Sequence, residues 1–196
     1  MLSTQMMILA DRNQWKNNPE ESTVFGDYNG YLFTGLEGKR FKAFITSLAG
    51  INPDSLQSIL QFLDKNARVL RLYNYEVTDN FLCVRLREGL IPLTAEKMEY
   101  LLAQISGLLS LGELPTGLCA ICGEPAARKG LYYGLFCHLH PECQDREPVN
   151  FTAQFEEKLL ADEEIPANDD EPKDDEASAE DEEPAVTAET GSAGGK

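Results

Sequence analysis

The chain has 196 residues, 17 basic and 33 acidic side chains, and a net charge of −16. Residues 161–196 hold 14 Asp/Glu against two lysines, −12 in all, so residues 1–160 carry only −4 and the acidity belongs mostly to the tail. An apolar share of 42% allows a real core, while so acidic a balance disfavours non-specific nucleic-acid binding, which needs clustered Lys/Arg to neutralise phosphates.

Residues 1–22 read as a polar leader in which Asn17-Asn18-Pro19 discourages any regular element. The short run Met6-Met7-Ile8-Leu9-Ala10 has no basic residue before it and does not meet the pattern of a secretory signal. The richest apolar stretch, 101–111, is interrupted by Gln104, Ser106 and Ser110 and falls short of the roughly 20 residues that span a bilayer. A cytoplasmic location is therefore expected. Five cysteines, an odd number, fit thiolate ligands better than a disulfide framework.

Residues 31–34 and 40–46 read as strands joined by a turn at Gly38-Lys39. Asn52 as cap and Pro53 at the first helical position open a helix, with Leu56, Ile59, Leu60 and Leu63 on one face. Strands follow over 68–77 and 80–87. In the second, Leu82, Val84 and Leu86 alternate with Cys83, Arg85 and Arg87, which predicts a half-buried strand with an arginine face outward. A second helix starts after Thr94 and carries Met98, Leu101, Leu102, Ile105, Leu108 and Leu109 until Gly112 and Pro115 end it. The order β-β-α-β-β-α over residues 24–113 predicts an α+β domain, an antiparallel sheet with two helices on one face.

Specific chemistry is confined to residues 119–143. Cys119-Ala-Ile-Cys122-Gly123 lets two thiolates point at one centre from a tight turn, and Cys137-His138-Leu139-His140-Pro141-Glu142-Cys143 offers a second pair. Between them, Lys129-Gly130 is expected to turn the chain into a strand over 131–136 that delivers that pair. This stretch resembles the zinc-ribbon and treble-clef class of zinc fingers, a resemblance that implies one structural Zn2+ in a module of residues 119–146. Three ligand sets are open. Ribbon spacing favours Cys119, Cys122, Cys137 and His140; an all-cysteine set uses Cys137 and Cys143; the third pairs His140 with Cys143 as alternative ligand. Cys83 reads as a free thiol.

After the module, residues 150–161 suggest a short amphipathic helix with Phe151, Phe155 and Leu159 on one stripe, and 162–196 an acidic tail too poor in apolar residues to fold. A closed four-ligand site does no chemistry, and no nucleophile–base pair or paired carboxylates stand out, so no enzyme is expected. The expectation is a cytoplasmic accessory or adaptor protein with a structural zinc site that mediates interaction with another protein. The alternative is a zinc-ribbon nucleic-acid-binding regulator, reading through the arginine face, with an autoinhibitory acidic tail.

Overall fold

The computed structural model describes residues 2–78, 80–90 and 92–146. Along them run α1 (Thr4–Arg12), β1 (Lys16–Asn18), β2 (Thr23–Tyr28), β3 (Tyr31–Glu37), β4 (Phe41–Ser47), α2 (Pro53–Leu70), β5 (Leu72–Thr78), β6 (Phe81–Arg87), α3 (Ala95–Leu111), β7 (Lys129–Tyr132), β8 (Leu135–His138) and α4 (Pro141–Gln144). The first six strands make one antiparallel sheet in the order β1-β2-β3-β4-β6-β5, and β7 and β8 form a separate hairpin.

Local chemistry sets the element ends. Asn52 Oδ1 accepts from Ser55 N at 2.7 Å and Pro53 follows it, so α2 starts where the sequence places it. Thr94 precedes α3 without a side-chain capping bond. Asn29 and Gly30, at φ 52° and 86°, supply the two left-handed positions of a two-residue hairpin between β2 and β3.

Side chains alternate along a strand, so each strand serves both faces of the sheet. Phe33, Phe44, Leu82, Val84 and Leu86 look to one face and pack with Met6, Leu9 and Ala10 of α1, Ile59 and Leu63 of α2, and Met98, Leu101, Leu102 and Ile105 of α3. Phe41, Ala43, Ile45, Phe81 and Cys83 look to the other, where Cys119, Ala120, Ala126, Tyr132, Leu135, Cys137, Leu139 and Cys143 cover them. With both faces covered, β4 is buried at every position but its last.

The α+β class and the antiparallel sheet with helices on one face agree with the sequence reading, and four details differ. The polar leader contains α1 and β1: Ser3 caps α1, and Met6, Leu9 and Ala10 recur at helical spacing and are fully buried, giving that face three helices instead of two. Residues 68–70, read as strand, complete α2, which stops where Arg71 turns left-handed at φ 55°. The arginine face of β6 reaches solvent only at Arg87: Arg85 is 1% exposed, with Asn74 Oδ1 accepting from its Nη1 at 3.2 Å. The segment 131–136 is no single strand, because Tyr133 and Gly134, both at positive φ, form the turn between β7 and β8 while Lys129 and Gly130 lie in β7. Residues 24–113 and 119–146 share the second buried cluster and lie within one compact unit. The expected helix at 150–161 and tail at 162–196 lie outside the described residues.

Candidate metal centre

The first ligand pair sits in a tight loop that a bridge between Leu118 and Pro125 closes off. Inside it, Cys119 N donates to Glu124 O at 2.8 Å and Gly123 N to Cys119 O at 2.9 Å. Gly123 takes φ 77°, a left-handed position glycine adopts without steric cost. The second pair comes from the start of a helical turn. The chain leaves β8, His140 occupies the cap position of α4, Pro141 stands at its first position, and Cys143 N donates to His140 O at 3.1 Å. Ala120 N donates to His138 O at 3.0 Å and ties the two segments together.

These turns bring the side chains of Cys119, Cys122, His140 and Cys143 into one group whose donor atoms all lie within 4.8 Å of one another. Thiolates bonded tetrahedrally to zinc at about 2.3 Å stand about 3.8 Å apart, so a small contraction would close the group on an ion. Cys119 and Cys143 are buried, His140 is half-buried and Cys122 lies at the surface.

The imidazole is aimed. His140 Nε2 is 2.9 Å from the Pro125 carbonyl, which can only accept, so Nε2 carries a proton. Nδ1 then faces the thiols, 3.3 Å from Cys122 Sγ. A ring nitrogen held by a backbone carbonyl while the other points at a cluster of sulfurs is the orientation that metal-binding histidines adopt. In the metal-free protein, the hydrogen bonds with Cys122 and with the Pro125 carbonyl hold the imidazole up at about 9.

The sulfurs differ in setting. Burial pushes Cys119 upward, but the backbone N–H groups of Cys122, His140 and Ile121 outweigh it and bring the thiol down to about 7. Cys143 is pushed up to about 11 by burial and by its contacts with Cys122 and Cys119. A coordinating cation favours the thiolate form of the sulfurs it binds, so an ion between Cys119, Cys122 and Cys143 would hold them together as thiolates. The donor set fits a metal ion.

Of the residues expected at the site, Cys119, Cys122 and His140 come together, joined by Cys143 in place of Cys137. Cys137 lies outside the group. It occupies β8 beside Leu135, where the strand's alternation turns both inward, and it belongs to the cluster under the sheet. Burial, then the nearby charge of Cys119, pushes its thiol up to about 12. His138 also stays outside, its Nδ1 2.9 Å from the Ala126 carbonyl. The Pro125 carbonyl and the N–H groups around Cys119 are backbone features that no residue pattern announces. No family model matches the chain, and no curated protein matches it. Among the described residues, no helix is long and apolar enough to cross a membrane.

Proposed function

We propose that the protein is a non-enzymatic accessory protein whose Cys119, Cys122, His140 and Cys143 hold one structural zinc ion, in the manner of the zinc-ribbon and treble-clef class, and whose surface engages another protein in the cytoplasm. The observation that carries the zinc reading is the His140 ring, which turns Nδ1 toward three thiols while Pro125 O engages Nε2. Thiolate and imidazole are the donors zinc prefers over harder cations. Four protein donors fill a tetrahedral shell and leave no position for a reacting water, which favours a structural over a catalytic role. Burial of Arg85 removes one of the arginines on which a nucleic-acid surface would depend, and this tilts the partner toward protein.

Elemental analysis of the reduced, metal-replete protein tests the site. The wild type should carry one zinc per chain, Cys143→Ser and His140→Ala should lose it, and Cys137→Ser should keep it. Metal retained in Cys143→Ser but lost in Cys137→Ser would return the ligand role to Cys137. The partner reading is tested by co-purification from the native cell, with Cys143→Ser as control: recovery of nucleic acid instead of protein would overturn it.

A further inference from the structure

The metal-binding stretch also closes the second face of the sheet, and its own apolar content is thin. Of the eight buried residues it contributes to the shared cluster, three are cysteines and two alanines, leaving Tyr132, Leu135 and Leu139 as its buried large apolar groups, with Ile121 packed partly buried against them. Cys119 and Cys143 belong at once to this cluster and to the ligand group, so the ion's position adjoins the packed interior of the cover. Polar attachments to the sheet include Asn80 Nδ2 donating to Ala120 O at 2.9 Å, Phe136 N to Thr34 Oγ1 at 2.7 Å, and the exposed Lys129 paired with Asp27 at 3.1 Å. The opposite face is a separate and larger cluster, and among the described residues none of 118–143 belongs to it.

We propose that metal occupancy fastens residues 118–143 as a cover over the apolar strip Phe41, Ala43, Ile45, Phe81 and Cys83, and that loss of the metal uncovers this strip while the helix-packed face stays folded. The inference rests on the reading of Cys119, Cys122, His140 and Cys143 as a metal site. Its physical basis is that a short segment with three large apolar side chains buried, and Ile121 and Phe136 only partly so, holds little order by burial alone, so the cross-link between its two ligand pairs supplies most of it. The helix face needs no thiolate.

Cys83 is the built-in reporter. It lies on β6, outside the cover and outside the ligand group, and is 2% exposed. A thiol this buried reacts only when its surroundings open. The experiment labels the full-length reduced protein with a maleimide before and after a chelator strips it, locates the label by peptide mass spectrometry, and follows amide hydrogen exchange in α2 and α3. With metal bound, Cys83 should stay unlabelled. After chelation its labelling should accelerate about tenfold or more, with α2 and α3 still protected. Cys83 that stays protected while Cys119, Cys122 and Cys143 become labelled would overturn the cover and leave the metal site standing. Loss of exchange protection in α2 and α3 together with labelling would also overturn it, since the metal would then hold the whole fold. Purified protein without metal would remove the site reading and the inference with it.

Discussion

Lys42 is the clearest case of a single residue whose setting decides its effect. It lies on the same face of β4 as Phe44, is 1% exposed, and places Nζ 2.9 Å from Glu37 Oε1 with Glu88 Oε2 also in contact. Burial alone would raise the Glu37 carboxyl, but the Lys42 ammonium and the N–H of Ser3 hold it below the ordinary glutamate value. A depressed carboxylate contributes stability above its unfolded value, about 4.3, and the contribution is lost as pH falls through the lower folded value. Lys42→Met should therefore cost about 3 kcal/mol at neutral pH, because it leaves two carboxylates facing each other without their cation. The deficit should shrink on acidification, where the Glu37 carboxylate takes up a proton. Urea unfolding of both proteins between neutral and acid pH measures it, and a pH-independent deficit would mean that lost packing, not charge, sets the cost. The same residue-level attention bears on the cysteines of the cluster's second half. Leu135, Cys137 and Leu139 alternate and all three are buried, a period legible in the sequence. Burial does not separate Cys137 from Cys119 and Cys143, which are equally buried; the backbone path through Pro141 into α4 is what sets Cys143 beside Cys119, Cys122 and His140.

At the scale of elements, the strong signals were those with a chemical cause at a fixed position. Asn52-Pro53 opens α2, and the alternation Leu82, Val84, Leu86 marks the inner face of β6. A signal of equal strength went unread: Asn29-Gly30 between Tyr28 and Tyr31 is hairpin chemistry, and it adds β2 to the sheet. Whether a strand is covered once or twice depends on distant packing, so the alternation could not tell that Arg85 lies inside. The β2 edge also fixes Trp15, the chain's one tryptophan. Its indole N–H donates to Asp27 O at 2.8 Å, and the ring stacks on Phe33 with centroids 6.4 Å apart. Gly26 leaves the room for that ring: a Cβ there would stand 2.1 Å from Trp15 Cδ1. Gly26→Ala should then displace the indole, cost about 1–3 kcal/mol through overpacking, and change the tryptophan emission of the folded protein. Unchanged emission and stability would show that α1 and β1 shift freely to make space.

For the whole molecule, the question is what the sheet becomes without its second layer. Sequence periodicity describes residues 24–113 as self-sufficient, since the helix face alone satisfies one side of every strand. The other side, which also holds the buried Arg85, carries Phe41, Ala43, Ile45, Phe81 and Cys83 along β4 and β6, all in one buried cluster with residues from the far side of position 118. A chain of residues 1–114 keeps α1, α2, α3 and all six strands of the sheet, so its helical and strand content should persist. It also bares the apolar side chains of Phe41, Ala43, Ile45, Phe81 and Cys83 on the adjacent strands β4 and β6, and such patches drive association. The expected outcome is a folded but self-associating species, with sedimentation that depends on concentration. Replacing Ile45, at the middle of the strip, with Thr should weaken that association without unfolding the helix face, since the side chain points away from it. A 1–114 chain that stays monomeric at all concentrations and unfolds in one cooperative step would mean that the strip tolerates water, and that the metal-bound cover contributes little to the stability of the sheet beneath it.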